Sequence, residues 1–104
     1  MDTAIVYMTA RDRDEALRVG RTLVEERLVA CVNVLAGVTS VYWWEEAVQE
    51  DREVVLIAKT KESLVGAVTR RVKELHSYNC PCVVSWTIDA GSDAYLGWIA
   101  RETR

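Results

Sequence analysis

His76, Cys80 and Cys82 form the only sequence-local group in this chain with metal-ligand chemistry. Imidazole and thiolate together suit copper(I) or zinc better than magnesium or calcium, which prefer hard oxygen ligands. Copper is the first expectation and zinc the second. Three candidates leave a closed tetrahedral zinc site one ligand short, and Cys31 is the remaining thiol that could complete it, across the sheet or from a neighbouring chain. The competing reading is that Cys31 and one of the pair are small buried hydrophobes, a common fate of free cysteine. Cys80 and Cys82 flank the only proline, Pro81. That spacing fits disulfide geometry poorly, so reduced thiols are expected.

Other side chains offer further chemistry. Lys59 ends an apolar run just ahead of a helix start at Thr60, where a lysine could hold an anion against free backbone N–H groups. The alternative is a snorkelling side chain or an ion pair with a nearby acid. Tyr42, Trp43 and Trp44 are expected to pack in an interface rather than to stack on a ligand, and Trp86 and Trp98 to lie in the core. Asn33 is expected to satisfy backbone groups at a strand irregularity. One histidine, no serine elbow and no glycine-rich phosphate loop give no grounds for an enzyme. Cys80-Pro81-Cys82 also lacks the two-residue spacer of thioredoxin-like redox motifs.

The elements that carry these groups follow from the hydrophobic pattern. Residues 3 to 10 are a short apolar run rich in β-formers and read as a central strand. Asp12 to Glu15 resembles a capping box, and a helix from there to about Leu28 would turn Ala16, Leu17, Gly20, Leu23, Val24 and Arg27 inward. Two long β-type runs follow, Ala30–Trp44 and Val48–Thr60, meeting in an acidic corner at Glu45, Glu46 and Ala47. Ala30, Val32, Val34, Ala36 and Val38 share one parity while Val41 and Trp43 take the other, which places a bulge near Gly37. Thr60 to Ser63 starts a second helix with the stripe Leu64, Val65, Val68, Val72 and Leu75. A turn over 77–82, a fourth strand over 83–88 and a short helix capped by Asp93 complete the chain. The order βαββαβ is that of the α+β, ferredoxin-like split βαβ sandwich, with both main helices on one sheet face and an extra C-terminal helix.

A chain of 104 residues fits one domain, 1–104, and at this size buries roughly 60–70% of its unfolded surface, enough for a core without staples. With 50% hydrophobic and 28% charged residues the composition is that of an ordinary folded domain rather than a disordered tail. A net charge of −3 argues against a nucleic-acid role dominated by phosphate contacts while leaving room for a local basic patch, and the aliphatic central strands argue against the exposed-aromatic RNA-binding version of this fold. No basic stretch followed by a long apolar one opens the chain, and no run approaches a membrane span, so the expectation is a complete, cytosolic chain that does not enter a membrane. The second long run alternates Val54, Leu56 and Ala58 with Val55, Ile57 and Lys59, so neither face of that strand is polar. Helices cover only one face, and the other, with the projecting hairpin, is expected to meet another copy of the chain.

The pieces Ala30-Cys31-Val32-Asn33-Val34, Gly37 with Ser40, Tyr42-Trp43-Trp44-Glu45, Lys59-Thr60, His76 with Tyr78 and Pro81, and Tyr95-Leu96-Gly97-Trp98-Ile99 together resemble the CutA divalent-ion tolerance family over essentially the whole chain. The resemblance implies a compact homotrimer built like the PII signalling proteins, with long hairpins pairing between neighbours, and a non-enzymatic role in divalent-metal tolerance. Two alternatives stand beside that role: a PII-like sensor binding a small anionic metabolite near Lys59, Tyr78 and His76 in the inter-subunit clefts, or a purely structural scaffold. This chain departs from the family pattern in two places. Trp44-Glu45-Glu46-Ala47 stands where the family has Trp-x-Gly-Lys, so the corner is expected to be looser or differently shaped. His76-Ser77-Tyr78-Asn79-Cys80-Pro81-Cys82 stands where the family has His-Pro-Tyr-Glu-x-Pro-Glu, which removes two carboxylates and offers Cys82 as a soft replacement.

Overall fold

The computed structural model describes residues 2–104. Its elements are β1 (Thr3–Ala10), α1 (Arg13–Glu25), β2 (Cys31–Trp44), β3 (Ala47–Lys61), a 3-10 turn (Glu62–Leu64), α2 (Val65–Leu75), β4 (Val83–Thr87) and α3 (Asp93–Glu102). The strands form one antiparallel sheet in the order β2-β3-β1-β4, the ferredoxin-like arrangement expected from the element order.

Local chemistry sets most of the boundaries. Asp12 caps α1 by accepting the Glu15 N–H at 2.8 Å, but the Glu15 carboxylate reaches the N–H of Arg11 at 3.0 Å rather than that of Asp12. The helix stops at Glu25, three residues short of the expected end, because Arg27 takes a left-handed φ of 58°. The Leu28 N–H then turns back to the Leu23 carbonyl at 3.0 Å, as at many helix ends. The inward face is rotated from the expected stripe: Glu15, Ala16, Val19, Gly20 and Leu23 are buried, while Val24 is exposed. The Thr60 hydroxyl donates to the Leu28 carbonyl at 2.6 Å, and α2 is entered through the 3-10 turn without a side-chain cap. The final helix is capped by Ser92 rather than Asp93.

Val6, Met8 and Ala10 of β1 and Val54, Leu56 and Ala58 of β3 meet Ala16, Val19 and Leu23 of α1 and Val68 and Val72 of α2 in the main core. The second sheet face, with Ile57, Lys59, Cys31 and Asn33, is crossed at one end by α3. Ile99 is fully buried there, and the Cys31 thiol lies 3.5 Å from the Tyr95 hydroxyl. The rest of that face is open. Trp86, read from sequence as core, is 51% exposed on it, because β4 is an edge strand whose outward parity no helix covers.

The hairpin β2–β3 gives the molecule its length, 44 Å against 25 and 22 Å in the other directions. The register shifts between Leu35 and Val38, with Gly37 at φ 80°, which is the expected bulge. The corner is not loosened by the missing glycine. Pairing continues to Trp44↔Ala47, and Glu45 and Glu46 take φ of 49° and 65°, the two left-handed residues of a tight two-residue turn. Trp43 is 74% exposed, and Val41 and Val48 beside it are exposed as well.

Candidate functional site

The bulge at Gly37 decides which side chains meet at the base of the hairpin. Beyond it Val38 pairs with Glu53, Ser40 with Asp51 and Tyr42 with Gln49, so Ser40, Tyr42 and Trp44 share the second sheet face with Glu53. The chain between α2 and β4 crosses the same region. Together they bound a cleft of about 510 Å³ whose lining includes Thr9, Tyr42, Glu53, Tyr78, Cys80 and Cys82 together with Ser40, Trp44 and Asn79. No basic side chain lines it.

Two tyrosine–carboxylate bonds brace the cleft. Tyr78 donates its hydroxyl to Glu53 Oε2 at 2.9 Å and Tyr42 donates to Asp51 Oδ2 at 2.6 Å. Burial, then the bond to Glu53 and its negative charge, push the Tyr78 phenol far above the ordinary tyrosine range. Burial, reinforced by Glu53, also pushes the Cys82 thiol up, so Cys82 is protonated at neutral pH.

Behind the cleft, His76 and Glu15 are buried, their side chains 2% and 1% exposed. His76 Nε2 donates to the Thr9 carbonyl at 2.7 Å, and its Nδ1 accepts the Tyr78 N–H at 3.0 Å. Glu15 accepts the Arg11 N–H on Oε1 and the Ser77 N–H on Oε2, at 3.0 and 2.9 Å. Burial raises its carboxyl, but the bonds from Ser77 and Arg11 and the nearby His76 outweigh it and hold Glu15 below the usual carboxylate range.

The structure thus brings Tyr78, Cys80 and Cys82 to one cleft, places His76 behind it, and leaves Cys31 and Lys59 elsewhere. Cys31 pairs with Lys59 in the β2–β3 register, four strand positions from Leu35 and Val55, or about 13 Å at ~3.3 Å per residue. Lys59 donates to the Asn33 side chain at 2.9 Å and lies 5.8 Å from the centre of the Tyr95 ring, so Asn33 serves a side chain and not the bulge. The four-ligand set His76, Cys80, Cys82 and Cys31 does not fit one metal ion within one chain: the imidazole is engaged at both nitrogens and Cys31 is remote. Among the described residues no three His, Cys, Asp or Glu side chains are grouped to hold an ion. Sequence reasoning missed Thr9, Glu53 and Tyr42 as cleft residues and Glu15 as a buried group. The signal for Glu15 was present, because Glu15, Val19 and Leu23 recur at helical spacing on one face.

A four-stranded ferredoxin-like sheet with a projecting hairpin and a thiol-bearing cleft at its base defines the class of molecule. The family model of the CutA1 divalent ion tolerance protein matches residues 4–102, and the chain belongs to that family. It is 42% identical over 100 residues to the divalent-cation tolerance protein CutA of Pyrococcus horikoshii, covering 96% of this chain and 97% of that one. It is 43% identical over 100 residues to the chloroplastic protein CutA 1 of rice, covering 96% of this chain but 56% of the relative, so it spans about half the length of that protein. Among solved structures, CutA1 from Oryza sativa superposes with a TM-score of 0.97 at 41% identity over 100% of this chain and 95% of the other. The divalent cation tolerance protein of Thermus thermophilus gives 0.96 at 38% identity over 98% and 99%.

Proposed function

We propose that the chain is one subunit of a non-enzymatic, cytosolic homotrimer concerned with divalent-cation tolerance, and that the cleft at the hairpin base takes a soft cation, copper before zinc, through Cys80 and Cys82. One observation carries the cation reading: the cleft lining contains two thiols and a carboxylate and no basic side chain. A cation suits such a lining and an anion does not. Since one chain supplies too few donors for a closed cage, the remaining ligands come from a second subunit or from water. The apolar hairpin tip and the open sheet face support self-association, and the number three comes from the family resemblance. Within one chain Lys59 and Tyr78 lie at different ends of the open face, so the metabolite-sensor alternative needs them from different subunits.

The test is titration under reducing conditions, with zinc followed by calorimetry and copper(I) by competition with a colorimetric chelator. Saturable binding should weaken at least tenfold in Cys82→Ser. Absence of metal binding, together with thermal stabilisation by an anionic metabolite, overturns this reading in favour of the sensor.

A further inference from the structure

We infer that His76 and Glu15 are positioning residues for the thiol-bearing loop and that His76 is not itself a metal ligand. The inference rests on the cation reading of the cleft for its functional meaning, but its geometry stands alone.

The ring has no free site. A carbonyl oxygen only accepts, so the 2.7 Å contact with Thr9 fixes the hydrogen on Nε2. A backbone amide only donates, so the Tyr78 N–H occupies the Nδ1 lone pair. A metal on Nδ1 would orphan a buried backbone donor, and a metal on Nε2 would break the tie to β1 inside a nearly closed space.

Glu15 completes the anchor from α1. One carboxylate oxygen holds the Ser77 N–H at 2.9 Å, the residue just before the Tyr78 amide that His76 holds. Arg18, whose Nη2 lies 3.7 Å from Glu15, donates through Nη1 to the Leu75 carbonyl at 3.0 Å. The exposed Arg18 thus holds the end of α2, and two successive loop amides are fixed by the buried side chains of Glu15 and His76, immediately before the chain enters the cleft with Tyr78, Asn79, Cys80 and Cys82. Glu15 can accept from both Arg11 and Ser77 because both its oxygens are acceptors. A glutamine would turn an N–H₂ toward one of those donors.

Two NMR measurements test this. In the wild-type protein labelled with ¹⁵N, zinc added under reducing conditions should shift the Cys80 and Cys82 amides and leave both His76 ring nitrogens in place; ring nitrogens that move with the metal overturn the inference. If zinc moves neither, the cleft reading fails, and the anchor is judged by the second measurement. In Glu15→Gln the Ser77 and Tyr78 amides should exchange with solvent at least tenfold faster while Leu56 in the core keeps its protection. Unchanged exchange at Ser77 and Tyr78 overturns the anchoring role.

Discussion

The Tyr78 hydroxyl donates to Glu53 Oε2 at 2.9 Å, joining the loop after α2 to the base of the hairpin. Tyr78→Phe removes the donor and leaves a half-buried carboxylate short of one partner. A hydrogen bond to a charged group contributes about 1.5–3 kcal/mol when buried, and partial exposure brings the expected loss to about 1–2 kcal/mol in urea denaturation. The double variant with Glu53→Gln should lose less than the two single losses combined.

The corner residues Glu45 and Glu46 occupy left-handed backbone at φ 49° and 65°, which costs an ordinary L-residue roughly 1–2 kcal/mol each. Glu46→Gly should raise stability by about 0.5–1 kcal/mol, because the relieved strain exceeds the entropy that glycine loses on folding. Gly37→Ala is the opposite control. A Cβ there meets nothing within 4 Å, so its expected loss of about 1 kcal/mol comes from the backbone at φ 80° alone. Thermal melts of both variants read the pair.

Glu15 gives a pH signature with a definite sign. Its carboxyl is held below the usual range in the folded chain, so its contribution is present in full above the unfolded value of about 4.3 and is lost as pH falls through the lower folded value. Melting temperatures from pH 3 to pH 7 should show the gap between wild type and Glu15→Gln constant above the unfolded value of about 4.3 and narrowing as pH falls below it, as the acid takes up its proton and comes to resemble the amide. A constant gap across that range contradicts the assignment.

Most of this architecture was legible before any coordinates. The two long runs gave β2 and β3 within about a residue at each end, the parity change at Gly37 gave the bulge, and the βαββαβ order gave the sheet topology, because periodicity reports which face is apolar. What the pattern could not supply were consequences of tertiary contact. Trp86 looks like core and faces outward because an edge strand has one uncovered side. Glu15 looks like a solvated capping residue and is buried because the loop after α2 offers Ser77 as a partner. The Glu45-Glu46 corner looked loose because neither residue favours positive φ, yet strand pairing on both sides imposes it. Of the site, Cys80 and Cys82 were grouped with His76 and Cys31, and Tyr78 separately with Lys59 and His76; the cleft instead brings Tyr78 to the two thiols, and the strand register holds Cys31 and Lys59 apart from it.

The two cleft thiols should differ in reactivity. Cys80 is exposed, whereas burial and Glu53 raise the Cys82 thiol, and alkylation proceeds through the thiolate. Iodoacetamide at pH 8 followed by peptide mass spectrometry should modify Cys80 several-fold faster than Cys82, and Glu53→Gln should narrow the gap.

Self-association underlies every functional reading, because an apolar hairpin tip and an open apolar sheet face need a partner surface. Sedimentation velocity at micromolar concentration tests it most directly. The account predicts a single species with the mass of three 11.8 kDa chains, whereas a folded species that stays at 11.8 kDa contradicts it.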